Sequence, residues 1–365
     1  MPLKNKSLSA DRTIILARFS ALGDVAMTIP VVYSACRCYP DVNFVFVTRP
    51  SMVSMFVGAP ANLTVTGVDV KSEYAGIGGL RRLAGMLRKE YRPDAFGDLH
   101  NVLRTKIIGL FMRMAGIPVS RIFKPRAKRR ALTRPVNKVM LPLTSQRARY
   151  REVFYKLGLP LNERFDGLYG GPGKADTAAF AAITTPKSDG ERWIGIAPFA
   201  AHAGKIYPPE KMEQVLGRLQ ADADSGECPL RVFLFGGGEK ETEILERWAG
   251  KYKCAVSLAG KKYGFGAELA LMNHLDCMVS MDSANMHLAA IAGTPTLSVW
   301  GATHPYCGFK AWRQTDDMMV QLPLSCRPCS VFGDKACPRG DYLCLNAIRP
   351  DMVYEKICKT IRNGK

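Results

Sequence analysis

The sequence predicts an α/β protein built from two doubly wound parallel sheets. Three observations predict it. Short apolar runs alternate with helix-period segments through both halves of the 365-residue chain. A stretch rich in Gly, Pro and Ser near Leu161–Lys187 divides the alternation, which then restarts. No apolar run reaches the roughly 18 residues that a membrane span requires.

The elements follow in order. In the first half a strand at Thr13–Phe19 leads through the loop Ser20–Asp24 into a helix at Val25–Tyr39. Strands at Val42–Arg49 and Leu63–Val70, a helix at Gly79–Glu90, a strand at Asp94–Leu99 and a helix at Arg104–Ala115 complete it. After the break come a strand at Trp193–Ala200, a helix at Pro208–Gln220, a strand at Val232–Gly237 and a helix at Glu239–Lys251. The acidic opening of that last helix suits its dipole. A strand at Val256–Gly260, a helix at Ala267–Leu275, a strand ending at Ser280, a helix at Asn285–Ala292 and a strand at Thr296–Trp300 follow. The expected organisation is a Rossmann-like domain over 1–165, a linker over 166–190 and a second such domain over 191–350. A terminal helix in 351–365 is expected to cross back onto the first domain, with the two domains opposed across a cleft.

Charge is unevenly placed. Of a net +19, nearly all belongs to residues 1–150, which carry 25 Lys and Arg against 8 Asp and Glu. From Leu99 to Arg151 there is no acidic residue, and Arg121–Lys138 concentrates the cations. Such a run suits an anionic membrane surface, a phosphorylated lipid or nucleic acid, or is a solvated loop. The segment KIIGLFMRMAGI (106–117) reads first as a core helix, with a membrane-resting face as the alternative. The N-terminal apolar stretch is short and interrupted by Arg18, so it reads as a first strand rather than a signal peptide. A cytosolic setting is expected, with the eleven cysteines mostly reduced.

Four loops carry chemistry. In VSMDSANMHLAAIAGTPTLSVWGATHP, the first strand delivers Asp282 and Ser283 to a helix start. There they cap N–H groups, or those N–H groups hold a phosphate, with His287 one turn on. The second strand puts Gly301–His304, including Thr303, on the same rim. In ARFSALGDVAMTIP, Gly23 permits close approach by a ligand, while Asp24 is a helix cap or a general base. Lys205 sits in a loop ahead of a Pro-initiated helix, suited to a diphosphate or merely exposed. Gly236 and Gly237 let backbone approach phosphate or sugar, and Glu239 suits ribose hydroxyls; the glycines do not form GxGxxG. Separately, Cys326, Cys329, Cys337 and Cys344 open on C-x-x-C and form a candidate structural zinc set, packed thiols being the alternative.

The ordered set FSALGDVAMTIP, IGIAPFAAHAGKIYPPEKM, VFLFGGGEKE, VSLAGK and DSANMHLAAIAGTPTLSVWGATHP resembles glycosyltransferase family 9, the heptosyltransferases of lipopolysaccharide core assembly. The resemblance implies a GT-B fold, with the acceptor on the first domain and the nucleotide sugar on the second. It implies inverting transfer of a heptose from ADP-heptose, with no cofactor or metal needed for catalysis. Asp24 matches the general base and Lys205 the lysine that neutralises the leaving diphosphate. Glu239 matches a ribose-side carboxylate, and Asp282, Ser283 and His287 the donor-site helix start. Two departures stand out: Ala284-Asn285 replaces the family's usual Gly-Pro, and Lys205-Ile206-Tyr207-Pro208 its frequent Lys-Arg-Trp-Pro.

With that resemblance, Gly23, Arg121, Arg129 and Arg130 become acceptor-side candidates, facing anionic Kdo-lipid A or heptosyl-Kdo-lipid A at the inner leaflet of the inner membrane. Another nucleotide sugar, or a non-catalytic relative, are the alternatives. A nucleic-acid-binding protein is the remote one, since the basic run has few aromatic residues and leaves Asp24 and Asp282-Ser283 without a role.

Overall fold

The computed structural model describes residues 12–226 and 229–363; the polar opening 1–11 and residues 364–365 lie outside the described residues. The chain divides into two compact units, one holding the residues up to Pro125 together with Thr144–Phe165, the other Arg126–Leu143 together with everything from Asp166 onward.

The first unit contains β1 (Arg12–Ala17), α1 (Leu22–Ala26), α2 (Ile29–Cys38), β2 (Val42–Thr48), β3 (Leu63–Gly67), α3 (Gly76–Tyr91), β4 (Ala95–Asp98), α4 (Leu103–Met114) and β5 (Val119–Arg121). All five strands pair in parallel, in the order β3-β2-β1-β4-β5. A parallel sheet is covered on both faces, so its strands are nearly continuous apolar runs; Ile14, Ile15 and Leu16 of β1 are fully buried. Leu80, Leu83 and Leu87 of α3 pack with Ile108 and Met112 of α4 against Ile15, Val45 and Phe96 on one face. The segment 106–117 is thereby a core helix on its inner side. The helix expected at Val25–Tyr39 is broken into α1 and α2, because Pro30 cannot donate to Ala26 and Thr28 turns its hydroxyl onto the Val25 carbonyl at 2.6 Å.

The second unit takes α5 (Arg126–Thr133) from the basic run, whereas α6 (Gln146–Lys156) belongs to the first, with Phe154 against Phe44 at 6.2 Å between ring centroids. Then follow β6 (Arg192–Ala197), α7 (Pro209–Ser225), β7 (Leu230–Leu234), α8 (Glu239–Lys251), β8 (Ala255–Ser257) and α9 (Phe265–Asn273). The unit continues with β9 (Cys277–Met281), α10 (Ala284–Ala292), β10 (Thr296–Val299), β11 (Met319–Val320), α11 (Leu343–Asn346) and α12 (Pro350–Asn363). Its six strands are again all parallel, ordered β11-β10-β9-β6-β7-β8.

Three boundaries differ from the sequence expectation. Residues 126–143, assigned to the first domain on sequence, belong to the second unit: Leu132 is buried there, and Lys138 donates to the carbonyls of Cys326 and Pro328. The expected linker 166–190 packs on the second unit too, with Leu168 N–H on Ile291 O and the Phe180 ring edge-on to Trp193. The terminal helix α12 does not cross to the first unit. It lies on the second, where Val353 and Ile357 are fully buried and the Tyr354 hydroxyl donates to Asp222 at 2.9 Å. In each case a local apolar surface outcompetes what composition alone suggested.

All four tryptophans (193, 248, 300 and 312) belong to the second unit, so Trp emission reports that unit alone. Ile357→Ala is expected to lower its stability by about 2–5 kcal/mol, as for other buried large-to-small changes. Urea titration of Trp emission checks this; an unchanged midpoint would detach α12 from that core.

Candidate functional site

In open parallel sheets a crevice forms where the strand order reverses and two carboxyl ends present their loops side by side. In the first unit the order reverses between β1 and β4, and in the second between β6 and β9. Most of the chemistry-bearing residues lie at these two places.

At the first, Asp24 lies in α1 with its carboxylate paired to the Arg18 guanidinium at 2.6 Å. Arg18 leaves the end of β1, is buried, donates to Leu99 O and stacks 5.6 Å over the Tyr150 ring. Tyr150 in turn donates to Asp24 O at 3.1 Å, so the backbone and side chain of Asp24 are both held. Gly23 immediately precedes it in the same turn. From the end of β4 comes His100, whose Nδ1 faces the Phe19 N–H at 3.5 Å and whose Nε2 lies 3.3 Å from Ser20 Oγ. Burial first, then the cations Arg18 and Lys124, push His100 down to about 3. It is therefore neutral at pH 7; with Nδ1 accepting, Nε2–H donates to Ser20. Arg121 is tied to the buried Asp98 carboxylate at 2.9 Å, which also caps the His100 and Asn101 N–H groups.

At the second, Lys205, Asp282 and Thr303 come from the ends of β6, β9 and β10 and meet. Lys205 Nζ lies 3.0 Å from Asp282 Oδ2, and the same oxygen accepts from Thr303 Oγ1 at 2.8 Å. Asp282 and Thr303 are both buried, so this is a largely desolvated carboxylate engaged twice at one oxygen. Neither Asp282 nor Ser283 caps α10, contrary to the expectation from residue type. Ser283 Oγ instead pairs with Ser280 Oγ at 3.1 Å, and the helix start has no side-chain cap. His287 is buried along that helix.

Small residues make the fit. A Cβ on Gly301 would lie 2.5 Å from Gly204 O, and one on Gly333 would lie 2.7 Å from Lys205 Cγ. Arg327, 2% exposed, reaches under the loop and donates to the carbonyls of Gly301 and Thr303. His304 Nδ1 accepts from Tyr306 N–H, and burial pushes its pKa down to about 4.

The glycine loop after β7 differs from expectation in one respect. Its Gly237 N–H is taken by Glu241 at 2.8 Å, while Glu239 is exposed at the start of α8. Arg129 and Arg130 sit on α5 in the second unit, whereas Gly23, Asp24 and Arg121 belong to the first. Arg129 lies 5.4 Å over the Phe332 ring. Cys326, Cys329, Cys337 and Cys344 are free thiols. Among the described residues no group of three or more His, Cys, Asp or Glu side chains is placed to hold a metal ion. Cys329 Sγ donates to Cys326 O at 3.0 Å, and burial pushes the Cys344 thiol up to about 11, which keeps it protonated.

The family model of glycosyltransferase family 9 (heptosyltransferase) matches residues 105–338, more than half of the chain. The chain belongs to that family. A lipopolysaccharide heptosyltransferase 3 of Escherichia coli is 23% identical over 315 residues, 82% of this chain and 85% of that one. A lipooligosaccharide heptosyltransferase 2 of Campylobacter jejuni is 28% identical over 89 residues, so the match spans only 24% of this chain and 27% of that relative. Among solved structures, the ADP-heptose lipopolysaccharide heptosyltransferase II of E. coli superposes with TM-score 0.66 over 96% of this chain and 99% of that one, at 16% identity. That likeness is one of fold, and the two doubly wound units are the pair expected of the GT-B class.

The family 9 motifs point to Asp24, Lys205, Asp282 and Thr303 but not to Arg18, Ser20, His100, Tyr150 or Arg327. His100 follows a strand whose end is legible in the sequence, so the DLHN segment is a usable signal. Arg327 is overshadowed by the two cysteines flanking it.

Removing one partner from the buried cluster leaves the other uncompensated. Asp282→Ala is expected to cost about 3–5 kcal/mol and Thr303→Val about 1–2 kcal/mol, read from the Trp-emission urea midpoint. In the first unit, the depressed His100 pKa contributes stability that is present above the unfolded value of 6.5 and lost as pH falls toward about 3. Amide exchange in β1 and β4, corrected for intrinsic rate, is expected to accelerate below pH 6.5 in the native chain. In His100→Asn that acid dependence should flatten, and equal slopes would contradict the buried neutral state.

Proposed function

We propose that the chain is an inverting glycosyltransferase that moves a heptose from ADP-heptose to a hydroxyl of the anionic lipopolysaccharide inner core, working at the cytoplasmic face of the inner membrane. The observation that carries this reading is the Lys205–Asp282–Thr303 cluster beside an uncapped helix start, at the carboxyl ends of three neighbouring strands. Such a place offers a cation and free-facing helix N–H groups to a diphosphate. Family membership supports the transfer chemistry. The E. coli relatives support ADP-heptose and lipopolysaccharide by their own substrates.

In this mechanism the first unit supplies the base. Asp24, aimed by Arg18, takes the proton of the acceptor hydroxyl. The acceptor oxygen bonds to the anomeric carbon on the face opposite the diphosphate, the bond to the leaving phosphate oxygen breaks, and configuration inverts. Lys205 and the start of α10 stabilise the charge that collects on the departing ADP. Asp282 does not contact the sugar in this reading; it orients Lys205. The cations Arg18, Arg49 and Lys124 around His100 favour an anionic acceptor. Arg121 contributes mainly through Asp98. Catalysis drawn this way uses no metal. A donor with a different base or sugar is the second reading, favoured by Ile206-Tyr207 and Ala284-Asn285, where the chain departs from the family pattern.

Calorimetry with ADP, ADP-heptose, UDP and GDP tests the donor. Selective binding of the adenine nucleotides is expected, weakened about 10- to 100-fold in Lys205→Ala, in keeping with loss of one charge-assisted contact to a diphosphate. Asp24→Asn is expected to keep ADP affinity and to lose about 10²-fold or more in transfer rate. Tighter binding of UDP or GDP would replace the heptose donor. Full transfer by Asp24→Asn would remove the base.

A further inference from the structure

The basic run of the sequence has a second peculiarity once folded. Residues 126–143 carry six Lys and Arg and no acidic residue. Here α5 is followed by a strap that returns to the body of the second unit. Its exposed side chains include large apolar ones: Val136 is 70% and Leu141 66% exposed, with Met140 also outside; Phe332, from a separate loop under Arg129, is exposed as well. Beside them Arg130, Arg134 and Lys335 surround an open notch of ≈480 Å³ whose other walls are Ala127, Ala131 and Pro135.

This strap is held at several points. Val139 N–H donates to Ala131 O and Leu143 N–H to Tyr306 O; Lys138 is engaged by two carbonyls, and Leu132 is buried beneath. The apolar side chains are therefore presented outward on an anchored backbone. Contiguous exposed apolar groups set among cations mark an interaction surface. A free sugar phosphate would satisfy the cations and leave the apolar groups in water. An anionic bilayer satisfies both: headgroup phosphates take the guanidinium and ammonium groups, and the acyl boundary takes Val136, Met140, Leu141 and Phe332.

We propose that α5 and the strap 134–141 form the face by which this protein docks on an anionic lipid bilayer. The proposal rests on the functional reading above in one respect, the need of an enzyme with a lipid-borne acceptor to reach a membrane. The outer side of α4 in the first unit, with Leu103, Leu110 and Met114 exposed, is the other amphipathic face; it carries three cations, Arg104, Lys106 and Arg113, against the six of 126–143.

Co-sedimentation of the full chain with vesicles of phosphatidylcholine, alone or doped with phosphatidylglycerol, tests this. Binding to the anionic vesicles is expected to exceed binding to the neutral ones about tenfold or more, and to weaken with salt. Arg126→Glu with Arg134→Glu should abolish the preference, and Arg126→Gln with Arg134→Gln should halve it or more. Val136→Ser with Leu141→Ser should lower binding about fivefold or more at unchanged charge. Unchanged Trp-emission midpoints and ADP calorimetry certify these variants as folded. Indifference to phosphatidylglycerol overturns the proposal, as does full binding by Val136→Ser/Leu141→Ser, which would mark a general polyanion site. Loss of binding in Leu110→Ser/Met114→Ser with the α5 variants unaffected would move the surface to the first unit. ADP binding without vesicle binding defeats this proposal alone; vesicle binding without any nucleotide binding defeats the functional reading alone.

Discussion

Parallel pairing of every strand obliges each connection to travel back over a face of the sheet. Most of the molecule's architecture depends on that constraint. It buries the strands on both sides, which is why Ile14–Ala17 and Cys277–Met281 are buried without alternation. It also gathers all strand-to-helix loops of a unit at one edge. Residues far apart in the chain, such as Lys205 and Thr303 on one side or Arg18 and Tyr150 on the other, become neighbours through this topology.

Within each edge the same electrostatic device appears with different polarity. A carboxylate is held by a nearby cation: Asp24 by Arg18 of the same β1–α1 connection, Asp282 by Lys205 from the loop after the neighbouring strand β6. Asp24 keeps about a quarter of its side chain in solvent, whereas Asp282 keeps almost none. An exposed carboxylate can exchange a proton with a substrate, and a buried, twice-engaged one is better suited to positioning. The difference in access, more than any difference in partner, separates the roles proposed for them.

Much of this is legible in the sequence. Strand ends can be placed well because β-branched runs stop sharply at Gly, Ser or Asp, and the four loops therefore fall where the chemistry is. The features that escape have physical reasons. Arg18 and Tyr150 act through stacking and a long-range hydrogen bond that no spacing encodes. The capping role expected of Asp282 and Ser283 rests on local preference, which is overridden by the pairing of Asp282 to Lys205 and Thr303 and of Ser283 to Ser280. Composition places the basic run in the first domain, although a few buried contacts, Leu132 foremost, carry it to the second.

The bare start of α10 has a bearing on the life of the protein as well as on its chemistry. A helix lacking its side-chain cap forgoes about 1 kcal/mol, a notable fraction of the few kcal/mol by which domains of this size stay folded. Any anion that settles there completes the helix, and it adds RT ln(1 + [L]/Kd) to the stability of the unit. With the diphosphate of the proposed donor as that anion, the folded population would track the supply of donor, and its scarcity would leave more of the protein open to proteolysis.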